Sequence, residues 1–181
     1  PGTQLTMRTF HTGGVAVGGD ITMGLPRVEE LFEIRIPTNP AVLSDCKGVV
    51  LSVEESGRER VIKVLLEPES KKSKGETKDF LVPFGRLPAV EKGATIAPGM
   101  RLSDGPVDVR QLFALSGSEE AQRYILNEVV HLYTLQGASI NPKHVEVIVR
   151  QMFAHIRVTD AGDTNFSEGD GVKTAAFLED N

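Results

Sequence analysis

The hydrophobic positions of this chain change rhythm twice. Val28, Leu31, Phe32 and Arg35 fall at i, i+3, i+4 and i+7, with Pro26 at a first helical position and Glu29 and Glu30 in the first turn, which predicts a helix over 26–35. Pro37 is expected to stop it. From about 41 to 109 the pattern becomes short β-branched runs separated by turn residues. "GVVLSVE" and "RVIKVLL" flank Glu55-Ser56-Gly57-Arg58 like the arms of a hairpin, and "DFLVPF" supplies another strand. Gly93, Gly99 and Gly105 punctuate single apolar residues with the cadence of tight turns in a small barrel or sandwich. Helical spacing then returns. Ser116 with Glu119 reads as a capping box, Ala121, Ile125, Val129, Leu132 and Tyr133 form an apolar stripe, and Gly137 ends the helix. Asn141-Pro142 starts another, with Val145, Ile148, Val149 and Met152 on its core face.

The expected fold class is therefore α+β: an N-terminal helix-loop-helix (1–36), a small β-rich barrel or sandwich (37–109), and a C-terminal helical hairpin (110–157). A loop-rich acidic tail (158–181) closes the chain.

Charge changes the picture once it is located. The net charge of −5 sits in residues 158–181, where six acids stand against Lys173, and the remaining residues hold equal numbers of acids and bases. A neutral body without a basic stripe argues against an autonomous nucleic-acid binder, though not against DNA contact within an assembly. A single cysteine, Cys46, excludes a disulfide framework and a cysteine-based zinc site, and a buried or inert thiol is expected over a reactive one. Neither a secretory leader nor a membrane span is read, and a chain beginning at Pro1 is expected to be a piece of something longer. His131, His144 and His155 lack zinc-site spacing, and "DAGDTNFSEGDG" fails the spacing of a calcium loop at Gly162, so no metal ligand is assigned. The second helix of the C-terminal pair offers His144, Glu146, Arg150 and Gln151, a poor surface for reading a DNA groove.

The stretch "QLTMRTFHTGGVAVGGD" is chemically richer. If residues 3–12 are helical, at roughly 100° per residue Gln4, Arg8 and His11 share one face within about 60°, and Met7 lies on the same flank. An amide for sugar hydroxyls, a guanidinium and an imidazole for phosphates, and a soft side chain for a base together suit a nucleoside triphosphate. Four threonines give the segment low helix propensity, and the pairs Gly13-Gly14 and Gly18-Gly19 supply a hinge, so folding on a ligand is one reading. A polar helix face beside a loop is another. A glycine phosphate cradle is a third, weakened because no Gly-Lys-Ser/Thr follows.

"PGTQLTMRTFHTGGVA" followed by "DITMGLPRVEELFE" resembles the trigger loop and trigger helices of the largest catalytic (beta-prime) subunit of bacterial-type RNA polymerase. The likeness continues through "PAVLSDCKGVV", "LSDGP", "RYILNEVVHLYTLQGASINPKHVEVIVRQM" and "VTDAGDTNFSEG", so it covers nearly the whole chain. It implies a component of a DNA-directed RNA polymerase, a nucleotidyltransferase, whose trigger helices close on the incoming nucleoside triphosphate. Carried over, Gln4 contacts the ribose, Met7 packs on the base, and Arg8 and His11 reach the phosphates as the catalytic pair, His11 by proton donation or by electrostatic positioning. The middle then resembles the jaw near downstream DNA. The implied partners are the rest of beta-prime, the beta, alpha and omega subunits, downstream DNA, and regulators on the jaw; no membrane is implied. The implied location is the bacterial cytoplasm, a plastid relative being the other source. Magnesium belongs to the complete enzyme, its ligands lying outside this chain, which lacks the aspartate-rich motif and so is not expected to polymerise alone. The sequence departs from the family at Met23, often Gln or Gly in relatives, and Ile34, often Ala, and Val17-Gly18-Gly19-Asp20 runs on without the insertion some relatives carry. The competing class is a non-catalytic jaw-type module that binds DNA or a regulator.

Overall fold

The structure is a computed structural model that describes residues 25–56, 59–67 and 76–180. It divides into two compact units, 1–121 and 122–181. In the first, helix α1 (Leu25–Phe32) precedes strands β1 (Gly48–Ser56), β2 (Glu59–Leu66), β3 (Thr77–Val82) and β4 (Thr95–Ile96). These form one curled antiparallel sheet in the order β3-β2-β1-β4. Helix α2 (Val109–Leu135) follows, and the division between units falls inside it. The second unit continues with α3 (Pro142–Met152), β5 (His155–Arg157), β6 (Gly171–Lys173) and α4 (Thr174–Asp180).

Strict alternation along β1 would put Val50, Ser52 and Glu54 on one face. The structure avoids this with a bulge: Val50 pairs with Val64 and Ser52 with Lys63, leaving Leu51 as the extra residue. The parity flips there, so Val50 and Val53 both face the core while Glu54 turns outward to bond Lys63 at 2.9 Å. The inward residues Val50, Ile62, Val64, Phe80 and Val82 pack with Val90, Ile96 and Leu102 into one cluster. Each such side chain contributes about 1.5–3 kcal/mol by leaving water. Among the described residues no second sheet covers this cluster. Loop segments do so, pinned by the bridges Leu43–Arg101 and Pro88–Ser103, so the expected barrel or sandwich is a single curled sheet closed by loops.

The glycine cadence has its physical reason at Gly99. Its φ is +77°, and a Cβ there would meet the Ser116 hydroxyl oxygen at 1.9 Å. That hydroxyl donates to the Pro98 carbonyl at 2.8 Å, so the turn and the helix end are built against each other.

Three boundaries differ from the sequence expectation. Helix α1 ends at Phe32 rather than at 35, because Ile34 takes a left-handed conformation (φ 52°) and Ile34 and Arg35 donate back to Leu31 and Glu30 in a Schellman cap. Helix α2 begins at Val109, about two turns before Ser116, because the Asp108 carboxylate accepts from Arg110 N at 2.9 Å; Gly117 (φ 82°, ψ −175°) then breaks it into two helices, the second starting beside Ser116 as expected. The tail expected to be loop-rich holds β6 and α4, with Phe166 and Phe177 stacked at 6.4 Å between ring centres. Elsewhere the expected features are present: the β1–β2 hairpin, β3, the buried stripe Ala121, Ile125, Val129 and Leu132, and Asn141 capping α3 through Lys143 N at 3.0 Å. On α3, Val145 and Val149 are buried, whereas Ile148 is half exposed.

Candidate functional site

Gln4, Met7, Arg8 and His11, and the hinge glycines Gly13, Gly14, Gly18 and Gly19, lie outside the described residues. The described residues begin at helix α1, next to that stretch in sequence. In α1, Val28 and Leu31 are buried, and so is Arg27, a charged residue whose guanidinium donates to the Glu30 carboxylate at 2.6 Å. A buried guanidinium is stable only with such partners, and this pair, made within one turn, stabilises α1 itself. Beyond the helix, Arg110 donates to the Ile34 carbonyl at 3.2 Å, and Ala41 N donates to the Pro106 carbonyl at 2.8 Å. The segment after α1 is thereby tied to the start of α2.

Electrostatics of the sheet are local. The three cations on β2 and β3 each have an acid: Arg60 with Glu55 at 3.0 Å, Lys63 with Glu54 at 2.9 Å, and Lys78 with Asp45 at 2.6 Å. The Lys63 ammonium, bonded to Glu54, holds that carboxyl below its ordinary range and is itself raised by it. Hydrogen bonding to Lys78 lowers Asp45 in the same way, while Lys78 is raised by Asp45. Beside them the Cys46 thiol is pushed up, chiefly by burial, with Ser44 Oγ 3.8 Å from its sulfur. An uncharged thiol is a weak nucleophile, in line with the inert role expected of it. Paired cations leave no continuous positive stripe on the strands.

Among the described residues no group of three or more His, Cys, Asp or Glu side chains could hold a metal ion, and no helix is long and apolar enough to cross a membrane. The structure also assembles what sequence reading kept apart. His155 and Lys173 face each other across the β5–β6 pair, and Arg150 at the end of α3 joins them around one cleft. The short alternating runs "HIR" and "GVK" were the only sequence signal for this.

The chain belongs to the RNA polymerase Rpb1, domain 5 family, whose model matches residues 1–176. Among similar proteins, the DNA-directed RNA polymerase subunit beta' of Halalkalibacterium halodurans is 44% identical over all 181 residues. Those of Acetivibrio thermocellus and Thermoanaerobacter sp. are 46% and 47% identical, again over the full chain. The chain spans only 14–15% of the length of these curated relatives. Together they support a bacterial beta' C-terminal segment.

Proposed function

We propose that the chain contributes the substrate-closing element of a DNA-directed RNA polymerase, acting in templated RNA synthesis within the complete nucleotidyltransferase. Likeness to beta' subunits over every residue at 44–47% identity carries this reading. In it residues 1–36 are the trigger loop and helices. Gln4 bonds the ribose, Met7 packs on the base, and Arg8 and His11 meet the phosphates when the segment folds over the substrate, hinged at Gly13, Gly14, Gly18 and Gly19. Closure of this kind makes contacts available only with the substrate in place, which is how it accelerates addition of the correct nucleotide.

The anchored α1 supports the reading. A lid needs one end that does not move, and the burial of Val28 and Leu31 together with the Arg110–Ile34 tie supports such an end. Residues 37–109 then serve as a jaw near downstream DNA, residues 110–157 lead back toward the clamp, and 158–181 form an acidic, loop-rich tail. Magnesium would be held by residues outside this chain, and the setting is the bacterial cytoplasm. The test is amide exchange over residues 3–12 in the assembled polymerase on a primed template. Protection should rise when the templated nucleotide is added, and equal exchange with templated and untemplated nucleotides would contradict closure.

A second reading, a free-standing jaw-type module that binds DNA or a regulator, is favoured by the self-contained core around Ile62 and Val64. The paired strand cations weigh against its DNA form.

A further inference from the structure

The second unit is acidic, with eight Asp and Glu against five Lys and Arg between 122 and 181. One cleft in it has the opposite character. Arg150, His155 and Lys173 line a space of about 420 Å³ with Gln122, Gln151 and Phe153, and no carboxylate is among the lining residues. Three separate elements bring these groups together. Arg150 stands in the last turn of α3, His155 begins β5, and Lys173 ends β6.

The placement is fixed rather than incidental. His155 and Lys173 are direct cross-strand partners, so they project from the same face of the two-stranded sheet at roughly 5 Å between Cβ atoms. Thr174, next to Lys173, donates through both its backbone N–H (2.9 Å) and its hydroxyl (3.2 Å) to the Ala154 carbonyl, next to His155. The strand ends that carry the two basic groups are thus clamped to each other. Basic side chains set opposite each other repel when both are charged and gain nothing from pairing. In a unit with acids to spare, none of Arg150, His155 and Lys173 has an ion pair among the described residues. Exposed basic groups from three elements thus meet around one cleft whose lining holds no carboxylate, an arrangement suited to an anion.

We propose that this cleft binds the phosphoryl groups of a small polyanion, a pyrophosphate or the polyphosphate tail of a nucleotide. A guanidinium offers a planar pair of donors, an ammonium a mobile charge and an imidazole a directed N–H, which together match adjacent phosphoryl groups better than one isolated oxyanion. The concave shape and the volume, within the range of small-molecule sites, suit a compact anion rather than a duplex. Gln122 and Gln151 add neutral polar groups, and Phe153 an apolar wall.

The test uses the 181-residue chain with isotope-labelled side chains, titrated by NMR with sodium pyrophosphate and separately with ATP, in EDTA and at constant ionic strength. Both probes should shift the His155 imidazole and Arg150 guanidinium signals. Arg150→Gln with Lys173→Gln should weaken binding at least about tenfold, whereas Lys143→Gln, outside the cleft, should leave it unchanged. Equal affinities for the two probes would assign recognition to the phosphoryl groups alone, and tighter ATP binding would add the nucleoside; either supports the site. The proposal is overturned if sodium sulfate at equal ionic strength produces the same shifts, if the double variant binds as the parent does, or if only residues 1–24 respond. The last outcome would leave the trigger-loop reading standing and remove this one.

Discussion

The guanidinium of Arg27 lies 2.6 Å from the Glu30 carboxylate one turn along α1, and Arg27 is only 3% exposed. Removing it leaves Glu30 without this partner and opens space among buried residues. Because Glu30 is itself partly solvated, the cost is lower than for a fully buried pair, and Arg27→Ala is expected to destabilise the chain by about 2 kcal/mol. Arg27→Met, which keeps the apolar stem, should cost less than Arg27→Ala. Urea unfolding of the three chains checks this, and an unchanged midpoint for Arg27→Ala would show that the pair does not stabilise the chain.

Ile34 and Gly137 occupy the same position of the same cap. Gly137 and Ala138 donate to Thr134 and Tyr133 just as Ile34 and Arg35 donate to Leu31 and Glu30. Gly137 has φ 72° and Ile34 φ 52°, so a β-branched residue bears a conformation that glycine accepts freely. Ile34→Gly should therefore stabilise by about 1 kcal/mol and Gly137→Ile destabilise by about 1–2 kcal/mol, read as shifts in denaturation midpoint. Opposite signs are the diagnostic result, and a loss of stability in Ile34→Gly would mean that the Ile34 side chain supplies more than the cap costs.

The Asp45–Lys78 pair gives a pH signature. Asp45 has a lowered folded pKa, so its contribution is in full above the unfolded carboxyl value of about 3.9 and is lost as pH falls through the lowered one. Lys78 has a raised folded pKa, so its contribution is present below about 10.4 and lost as pH rises through the raised value. Asp45→Asn should lower the urea midpoint slightly at neutral pH, less in high salt, and match the parent in strong acid. A midpoint gap that persists into strong acid would show that the pair is not its source.

Cys46 offers a chemical check. Its thiol is held protonated chiefly by burial, so alkylation by iodoacetamide near neutral pH should run at least about tenfold slower than that of a free thiol such as glutathione. Denaturant should restore the ordinary rate. A native rate equal to that of glutathione would place the sulfur in open solvent.

Elements whose signals are local were legible in the sequence: the β1–β2 hairpin, the stripe from Ala121 to Leu132, and the Asn141-Pro142 start of α3. What was not legible depends on distant partners. The Leu51 bulge exists because Val50 and Val53 both face residues brought in from β2, and no local pattern announces it. The early end of α1 rests on Ile34 adopting a conformation its side chain disfavours. The His155–Lys173 juxtaposition follows from a pairing across the loop between β5 and β6. The face proposed for Gln4, Met7, Arg8 and His11 rests on helical spacing and resemblance, and lies outside the described residues.

The central claim concerns Arg8 and His11, and the rate of single-nucleotide addition by the assembled polymerase tests it most directly. Arg8→Ala and His11→Ala, each introduced into the complete beta' subunit, should slow addition of the templated nucleotide by at least about tenfold while subunit assembly stays at the parent level. Addition at the parent rate by both variants, with assembly intact, would contradict the account.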